Sequence, residues 1–464
     1  AEAYGEIKRK TALVNIGLYA IILMIIYGTG LYDLLIRFNG EEGANAIIDF
    51  SYYQFIYNSN VAQLFHNRMI NQATFSNVIH ASHWFSDFFN KKMSEDKNIA
   101  LKNEWLKKCV EMYKTQKIVV TLSSDGSNND CYVQNCDLAE QGHAKSQKNC
   151  NIIAYMWVID VATGLPLTYY VTFGSMPDCK AIQAVLASLK AVGLEIETLV
   201  LDRNFATHAF ISKCNELKIP YVINLKSNSF AHNEMLNDYA EQILWDPDYA
   251  LKNGLLAGIS DKKQIFKDHP EEGYIHLYYH YIHGNKRRAT LFQKIVQEYQ
   301  YLLDQCAKGI VPIIKSEFCQ YFTIEQHGNI VEIKVNKPAI FEKIKNTGFD
   351  SLVTSKPYTP EEANEKFHTK DTSEKMYYTI KSQLGGGTTR VHSTESLLNK
   401  MFVCFIATII RSYIANAAKR VNRDASIAIS ELNKLHCTLL PNSEYAFIDS
   451  ISELQQSLLE QFNI

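Results

Sequence analysis

The 464-residue chain is short of several things at once. Its 21 glycines and 10 prolines follow no period, which excludes collagen-like and low-complexity architectures. Charge of neither sign dominates: 47 Lys and Arg face 49 Asp and Glu, a net charge of −2. No whole-molecule field therefore draws in a polyanion, and any nucleic-acid surface has to be a local patch. No internal repeat is visible. The ten cysteines show no disulfide-like framework, which fits a reducing compartment. Their tightest group, Cys131, Cys136 and Cys150 with His143, matches no common zinc spacing. The apolar run after Lys8-Arg9-Lys10 falls short of the ~20 residues that span a bilayer. Asn15 and Gly17 interrupt it and no small-residue cleavage site follows, so a buried helix is expected there. The first residue is Ala rather than Met, and the true start is expected upstream of it.

What is present is a globular composition, 47% hydrophobic with 27 Tyr and 23 Phe, in a chain long enough for two to four domains. Residues 1–115 read as helices, with apolar-periodic stretches at 12–37, 43–57, 76–90 and 99–115. The texture changes at residue 117. "KIVVTLSSDG" reads as a strand ending on Asp125, and "NIIAYMWVID", the turn "ATGLP" and "LTYYVTFG" continue a meander. A helix opened near Ser175 or Asp178 and closed around Gly193 follows. Strand "ETLVLD", helix "FATHAFISKCNELK" and strand "PYVINLK" complete the series. Three consecutive strands followed by alternating helix–strand units predict an α/β fold with a mixed sheet and helices on its faces. From about 230 to 350 the pattern becomes strand-rich. "YIHLYYHYIHGNKRRATLFQ" reads as a hairpin whose turn precedes Lys286, Arg287 and Arg288, and "QYFTIEQHGNIVEIKVN" as another hairpin. Helices return at 360, and the apolar stretch within "STESLLNKMFVCFIATIIRSYIANAAKRV" reads as a core helix.

Two features carry chemistry. Asp125 and Asp202 each end a predicted strand, so both carboxylates are expected at one edge of the sheet. Carboxylates at that range repel, and a divalent cation is the usual means of holding them together. The second feature is "FHTKDTSEKMYYTIK". At roughly 100° per residue, Phe367, Lys370, Glu374 and Lys381 share an arc of about 60°, apart from Met376, Ile380 and Leu384. Glu374 is the natural third carboxylate of a hard, oxygen-only site for Mg²⁺ or Mn²⁺.

On these residues the chain resembles DDE transposases of the bacterial insertion-sequence-four superfamily, which have an RNase H-like core. Their third motif is Tyr-x2-Arg-x3-Glu-x6-Lys; Phe367, Lys370, Glu374 and Lys381 match its spacing, with Phe for Tyr and Lys for Arg. "SSDGSNND" around Asp125 resembles the first motif and "LDRNF" around Asp202 the second. "GHAKSQ" and "FGSMPD" resemble segments between them, and "TRVHSTESLLNKMFVCFIA" the stretch after the third. The likeness runs from about residue 12 to the end. It implies an N-terminal helical domain for DNA ends (1–115) and an RNase H-like core in two parts (116–230 and 351–425). A strand-rich insertion domain (231–350) and a C-terminal helical tail (426–464) complete the expected organisation.

The resemblance also implies a function: binding of an element's terminal inverted repeats, then metal-dependent strand cleavage and strand transfer. Asp125, Asp202 and Glu374 are the expected catalytic ligands of two Mg²⁺ (or Mn²⁺) ions. Phe367, Lys370, Lys381, His143, Lys145, Lys286, Arg287 and Arg288 are the expected DNA contacts. The expected setting is the bacterial cytoplasm at the nucleoid, with double-stranded DNA as partner, a dimer in the synaptic complex and no membrane. Asp178 is expected to cap a helix rather than bind metal. Phe367 lacks the motif's hydroxyl and Lys370 its bidentate guanidinium. The alternative reading is a decayed or repurposed relative that holds DNA without cutting it.

Overall fold

The structure is a computed structural model, and it describes residues 7–8, 13–132, 135–142, 150–251, 254–327, 330–384, 388–389, 393–439, 445–447 and 450–464. Along the chain, three long helices come first: α1 (Gly17–Gly28), α2 (Leu31–Tyr57) and α3 (Glu95–Gln116). Strands β1 (Val120–Cys131), β2 (Asn151–Asp160) and β3 (Pro166–Phe173) follow, then α4 (Asp178–Ala191) and β4 (Ile196–Leu201). Next are α5 (His208–Glu216), β5 (Tyr221–Asn224), α6 (Phe230–Trp245), β6 (Leu256–Phe266) and β7 (His269–His280). Helix α7 (Tyr281–Ala307) leads to β8 (Phe322–His327), β9 (Ile330–Val335), α8 (Lys337–Lys345), β10 (Phe349–Thr354) and α9 (Pro360–His368). Helices α10 (Asp371–Tyr378), α11 (Thr394–Arg420), α12 (Ala425–Leu432) and α13 (Glu453–Glu460) complete the elements used below.

These elements form two compact units, residues 1–200 with 369–464, and residues 201–368. This division differs from the sequence-based one. Residues 1–115 do not stand apart, because their helices share a core with the sheet. Trp105 of α3 donates its indole N–H to the Pro166 carbonyl of β3 at 3.1 Å, and Lys102 donates to Tyr169 O at 2.8 Å. Ser51 of α2 reaches the Val403 carbonyl of α11, and Asn98 of α3 donates to Asn399 of α11 at 2.6 Å.

In the first unit β2 is central, hydrogen-bonded antiparallel to β1 and to β3, and β4 runs parallel to β1 on its other edge. Because β2 is covered on both faces it is buried from Ile152 to Asp160, which its near-continuous apolar sequence anticipates. The β2–β3 turn contains Gly164 at φ +67°, and α4 closes at Gly193 at φ +76°, left-handed conformations that glycine adopts without penalty. The fold is therefore α/β with a mixed sheet, three antiparallel strands followed by a parallel one after a helix, the RNase H-like arrangement expected. The N-terminal apolar run is buried α1, whose Leu18, Ile21, Ile22 and Ile26 are each at most 1% exposed. Each such side chain contributes about 1.5–3 kcal/mol relative to exposure. Helix α11 is long and apolar enough to cross a membrane, yet 83% of its most apolar window is buried within the protein.

The second unit has an antiparallel sheet in the order β6-β7-β10-β5 and a separate hairpin, β8–β9. The predicted hairpin at "HGNIV" is thus a pair of strands, whereas the one at "HGNKRR" is not. There β7 ends at His280 and α7 begins, with His280 accepting from His283 N as its cap. Gly284 and Asn285 lie in the first turn of that helix. A Cβ at Gly284 would fall 2.6 Å from the Tyr279 ring, so this glycine serves close packing instead of a turn. Lys286, Arg287 and Arg288 are consequently helical.

Candidate active site

Strand β1 does not end at Asp125 but continues to Cys131. It pairs with β4 only as far as Ser123, opposite Val200, while its ladder with β2 continues to Asp130 opposite Ile152. Asp125, opposite Trp157, therefore lies where β1 has outrun β4. Its polar sequence "SSDGSNND" is sustained as a strand because β2 supplies the hydrogen-bonded partner along this whole stretch. Asp202 follows β4 directly. Asp202 and Asp125 each come two residues after the registered pair Val200 and Ser123. The Asp202 carboxylate accepts from Arg203 N at 2.7 Å at the start of the single 3₁₀ turn Arg203–Phe205.

Glu374 sits in α10, and α10 is fixed to the sheet at two points near the Asp125 position. The buried Ser123 hydroxyl donates to Ser373 Oγ at 3.0 Å, and Ser373 in turn donates to the Lys370 carbonyl at 2.7 Å. Four residues on, the Tyr377 hydroxyl accepts from Trp157 N at 2.9 Å. Ser123 precedes Asp125 by two residues, and Trp157 is its cross-strand partner. These two contacts join α10 to both strands, two residues apart in the ladder. Glu374 itself is exposed and accepts from Lys370 Nζ at 3.2 Å, whereas Lys370 is only 7% exposed. With one partner in solvent, such a pair is worth about 0–1 kcal/mol, so it orients Glu374 more than it stabilises the fold. Lys370, expected from the motif to contact phosphate, is thus largely buried with its ammonium directed at the Glu374 carboxylate.

The stretch 367–381 is not one helix. Helix α9 stops at His368, and the Thr372 and Ser373 amides bond back only three residues, to Thr369 and Lys370. From Thr379 to Gln383 the chain widens into a π turn, with Leu384 N bonded to Thr379 O. A projection at one fixed angle fails at both changes of pitch. Phe367 belongs to the second unit, packed against Val222, Tyr278, Leu352 and Ala363. Lys381 lies half-buried in the π turn.

The other expected DNA contacts separate by environment. Phe367, Lys286 and Arg287 line one open cavity of about 800 Å³ in the second unit, with Lys294, His280, His283 and His368 on its wall. Lys286 and Lys294 are exposed, and among the described residues neither is ion-paired. Arg287 instead holds Asp350 through both guanidinium nitrogens and the Gly348 carbonyl at 3.0 Å. Arg288 donates to the carbonyls of Thr347 (2.9 Å) and Lys345 (2.6 Å) and stacks over Tyr279. Arg288 thus ties α7 to the α8–β10 loop. His143 and Lys145 lie outside the described residues.

Asp178 is the first residue of α4, after Pro177 at the cap, not the cap itself. A Cβ at Gly126 would fall 2.0 Å from its carboxyl carbon, so the glycine beside Asp125 admits the Asp178 carboxylate against the strand. Strand alternation separates the two flanks of β1: Ser123 meets α10 on one face, and Gly126, of opposite parity, meets α4 on the other. Sequence reasoning missed Ser123, Ser373 and Tyr377, whose roles exist only across the helix–sheet contact. The parity of Ser123 with Asp125 was the one available signal.

Among solved structures, the chain is similar to the piggyBac transposase synaptic complex with hairpin DNA. The TM-score is 0.39 and the identity 10%, over 99% of this chain and 81% of that one. A comparison with curated proteins finds no match. The family profile described as Transposase DDE domain matches residues 133–410, which includes Asp202 and Glu374 and begins eight residues after Asp125. That match spans more than half of the sequence, and the chain belongs to the transposase DDE family.

Proposed function

We propose that the chain is a cut-and-paste DNA transposase of the insertion-sequence-four type, acting on its own element's terminal inverted repeats in the bacterial cytoplasm. Asp125, Asp202 and Glu374 are its catalytic carboxylates. The observation that carries this reading is the double attachment of α10, Ser373 to Ser123 and Tyr377 to Trp157, which sets Glu374 beside the β1 segment that bears Asp125. The shared offset of Asp125 and Asp202 from one registered pair supports the second ligand.

Three carboxylates are a hard oxygen set that suits Mg²⁺ or Mn²⁺ and disfavours soft metals. When bound, two such ions supply an activated oxygen nucleophile and neutralise charge developing on the phosphodiester. The protein's part is to hold the ligands in place. Lys370 orients the exposed Glu374 carboxylate through its ion pair. Lys286, Lys294 and Lys381 supply sequence-independent attraction for the DNA backbone, and Phe367 an aromatic face at the cavity wall. A dimer holds both element ends together.

The test is a labelled duplex carrying the element's end, incubated with Mg²⁺ and the wild-type protein, Glu374→Gln or Asp202→Asn. Cleavage by the wild type alone, with DNA binding retained by all three, is expected. Equal cleavage by the variants would remove the site assignment. Binding without cleavage by any of the three would mark a DNA-holding relative.

A further inference from the structure

A second cluster in the second unit has a different chemistry. His208, the first residue of α5, and His269 and Glu271 at the start of β7 bring one ligand atom each to within 4.8 Å of one another. The geometry is built from two periodicities. His269 and Glu271, two apart on a strand, share one face, and His208 and Ser212, four apart on a helix, share another. The imidazoles of His208 and His269 are stacked, with centroids 3.6 Å apart and planes inclined by 11°. Phe266, opposite His269 across the hairpin, stands edge-on to both rings.

Hydrogen bonding distinguishes the two oxygens of Glu271. Its Oε1 accepts from Ser212 Oγ at 2.8 Å and contacts His208 Nε2 at 2.6 Å. Its Oε2 is buried with no hydrogen-bond partner. A buried, unpartnered carboxylate oxygen is costly unless something positive faces it.

We propose that His208, His269 and Glu271 form a site for a borderline transition ion of the Zn²⁺ class, with water as fourth ligand. Two imidazoles and one carboxylate suit zinc and exclude Mg²⁺ as the preferred ion. Glu271 Oε2 is the ligand atom, and Ser212 on Oε1 is the outer-sphere group that orients it. Bonds of about 2.1 Å set ligand atoms about 3.4 Å apart in a tetrahedron. The in-plane lone pairs of two stacked imidazoles do not converge, so binding requires the exposed His269 ring to turn out of the stack towards the ion. The ion fastens the tip of the β6–β7 hairpin to the start of α5. It is distinct in chemistry from the oxygen-only site above.

The experiment uses the full, untagged chain stripped with a chelator and titrated with Co²⁺ in excess Mg²⁺. One equivalent of Co²⁺ with the visible bands of a tetrahedral nitrogen–oxygen site, displaced by Zn²⁺, is expected. His269→Ala and Glu271→Gln should each weaken binding by at least about 100-fold, and Ser212→Ala by about 10–100-fold. His269 is exposed at a hairpin tip, so its variant should melt like the wild type in chelator and lose only the Zn²⁺-induced rise in melting temperature. Unchanged Co²⁺ binding by His269→Ala would overturn the proposal. So would a thiolate charge-transfer band in place of the expected spectrum, or no binding at submillimolar Co²⁺.

Discussion

The bond between Ser123 and Ser373 gives a prediction whose sign depends on which end is removed. Both side chains are 0% exposed, and the proton order is defined: Ser123 donates to Ser373, and Ser373 donates to the Lys370 carbonyl. In Ser373→Ala the Ser123 hydroxyl is left buried without an acceptor, at a cost of about 1–3 kcal/mol. The better helix propensity of alanine returns about 0.5 kcal/mol. In Ser123→Ala the Ser373 proton keeps its acceptor, and only about 0.5–1.5 kcal/mol is lost. The double variant has no orphan hydroxyl on the strand. It should therefore be more stable than Ser373→Ala alone, although it carries one more substitution. At about 2 °C per kcal/mol for a unit of this size, Ser373→Ala should melt about 1–5 °C below the wild type. Adding Ser123→Ala should recover part of that loss. In the DNA-end cleavage assay both single variants should act as positioning changes, with DNA binding kept, the Mg²⁺ requirement raised and the rate lowered about 10–100-fold. A double variant less stable than Ser373→Ala, or single variants with unchanged cleavage and Mg²⁺ dependence, would refute the bond's role in holding Glu374.

Other perturbations separate binding from architecture. Lys286→Ala and Lys294→Ala should each weaken DNA binding and reduce the slope of log affinity against log salt by about 1, read by fluorescence anisotropy at several salt concentrations. Arg288→Ala should instead lower the melting temperature, because it removes the donors of two loop carbonyls. Gly126→Ala forces the Asp178 carboxylate off the strand and should cost about 1–3 kcal/mol by denaturant titration, with partial recovery in a Gly126→Ala, Asp178→Ala double variant. Burial holds His232 and His276 at a pKa of about 4 in the folded chain, where they bond Ser351 and the Ser260–Thr354 pair. The unfolded chain takes up these protons below about 6.5, so their contribution is complete above that pH and is lost as pH falls towards 4. Melting temperature should fall across this window, and His276→Gln should flatten the slope; an unchanged slope would exclude His276 as a source.

Most of the local elements, and the residues proposed for the candidate site, could be read from the sequence. An apolar run such as "NIIAYMWVID" has one economical fate, a strand covered on both faces, and glycines at positive φ closed the β2–β3 turn and α4 where expected. The proposed carboxylates, Asp125, Asp202 and Glu374, were picked out in the sequence because ordered acidic residues on strands and a helix are a chemical pattern before they are a spatial one. Local pattern failed where distant packing overrode it. "HGNKRR" has the composition of a hairpin turn, but the close approach of Tyr279 and Gly348 to Gly284 makes it the start of a helix. The stretch 367–381 has helical periodicity, but its pitch changes twice, and Phe367 and Glu374 belong to different compact units. Packing between elements is what buries Lys370 under Glu374, fastens a loop with Arg288, and joins α10 to Ser123 and Trp157. It alone brought His208 to His269 and Glu271, since ligands some sixty residues apart in sequence have no shared period. Periodicity reports which face of an element is apolar; which polar groups meet across two elements is fixed only when the elements pack.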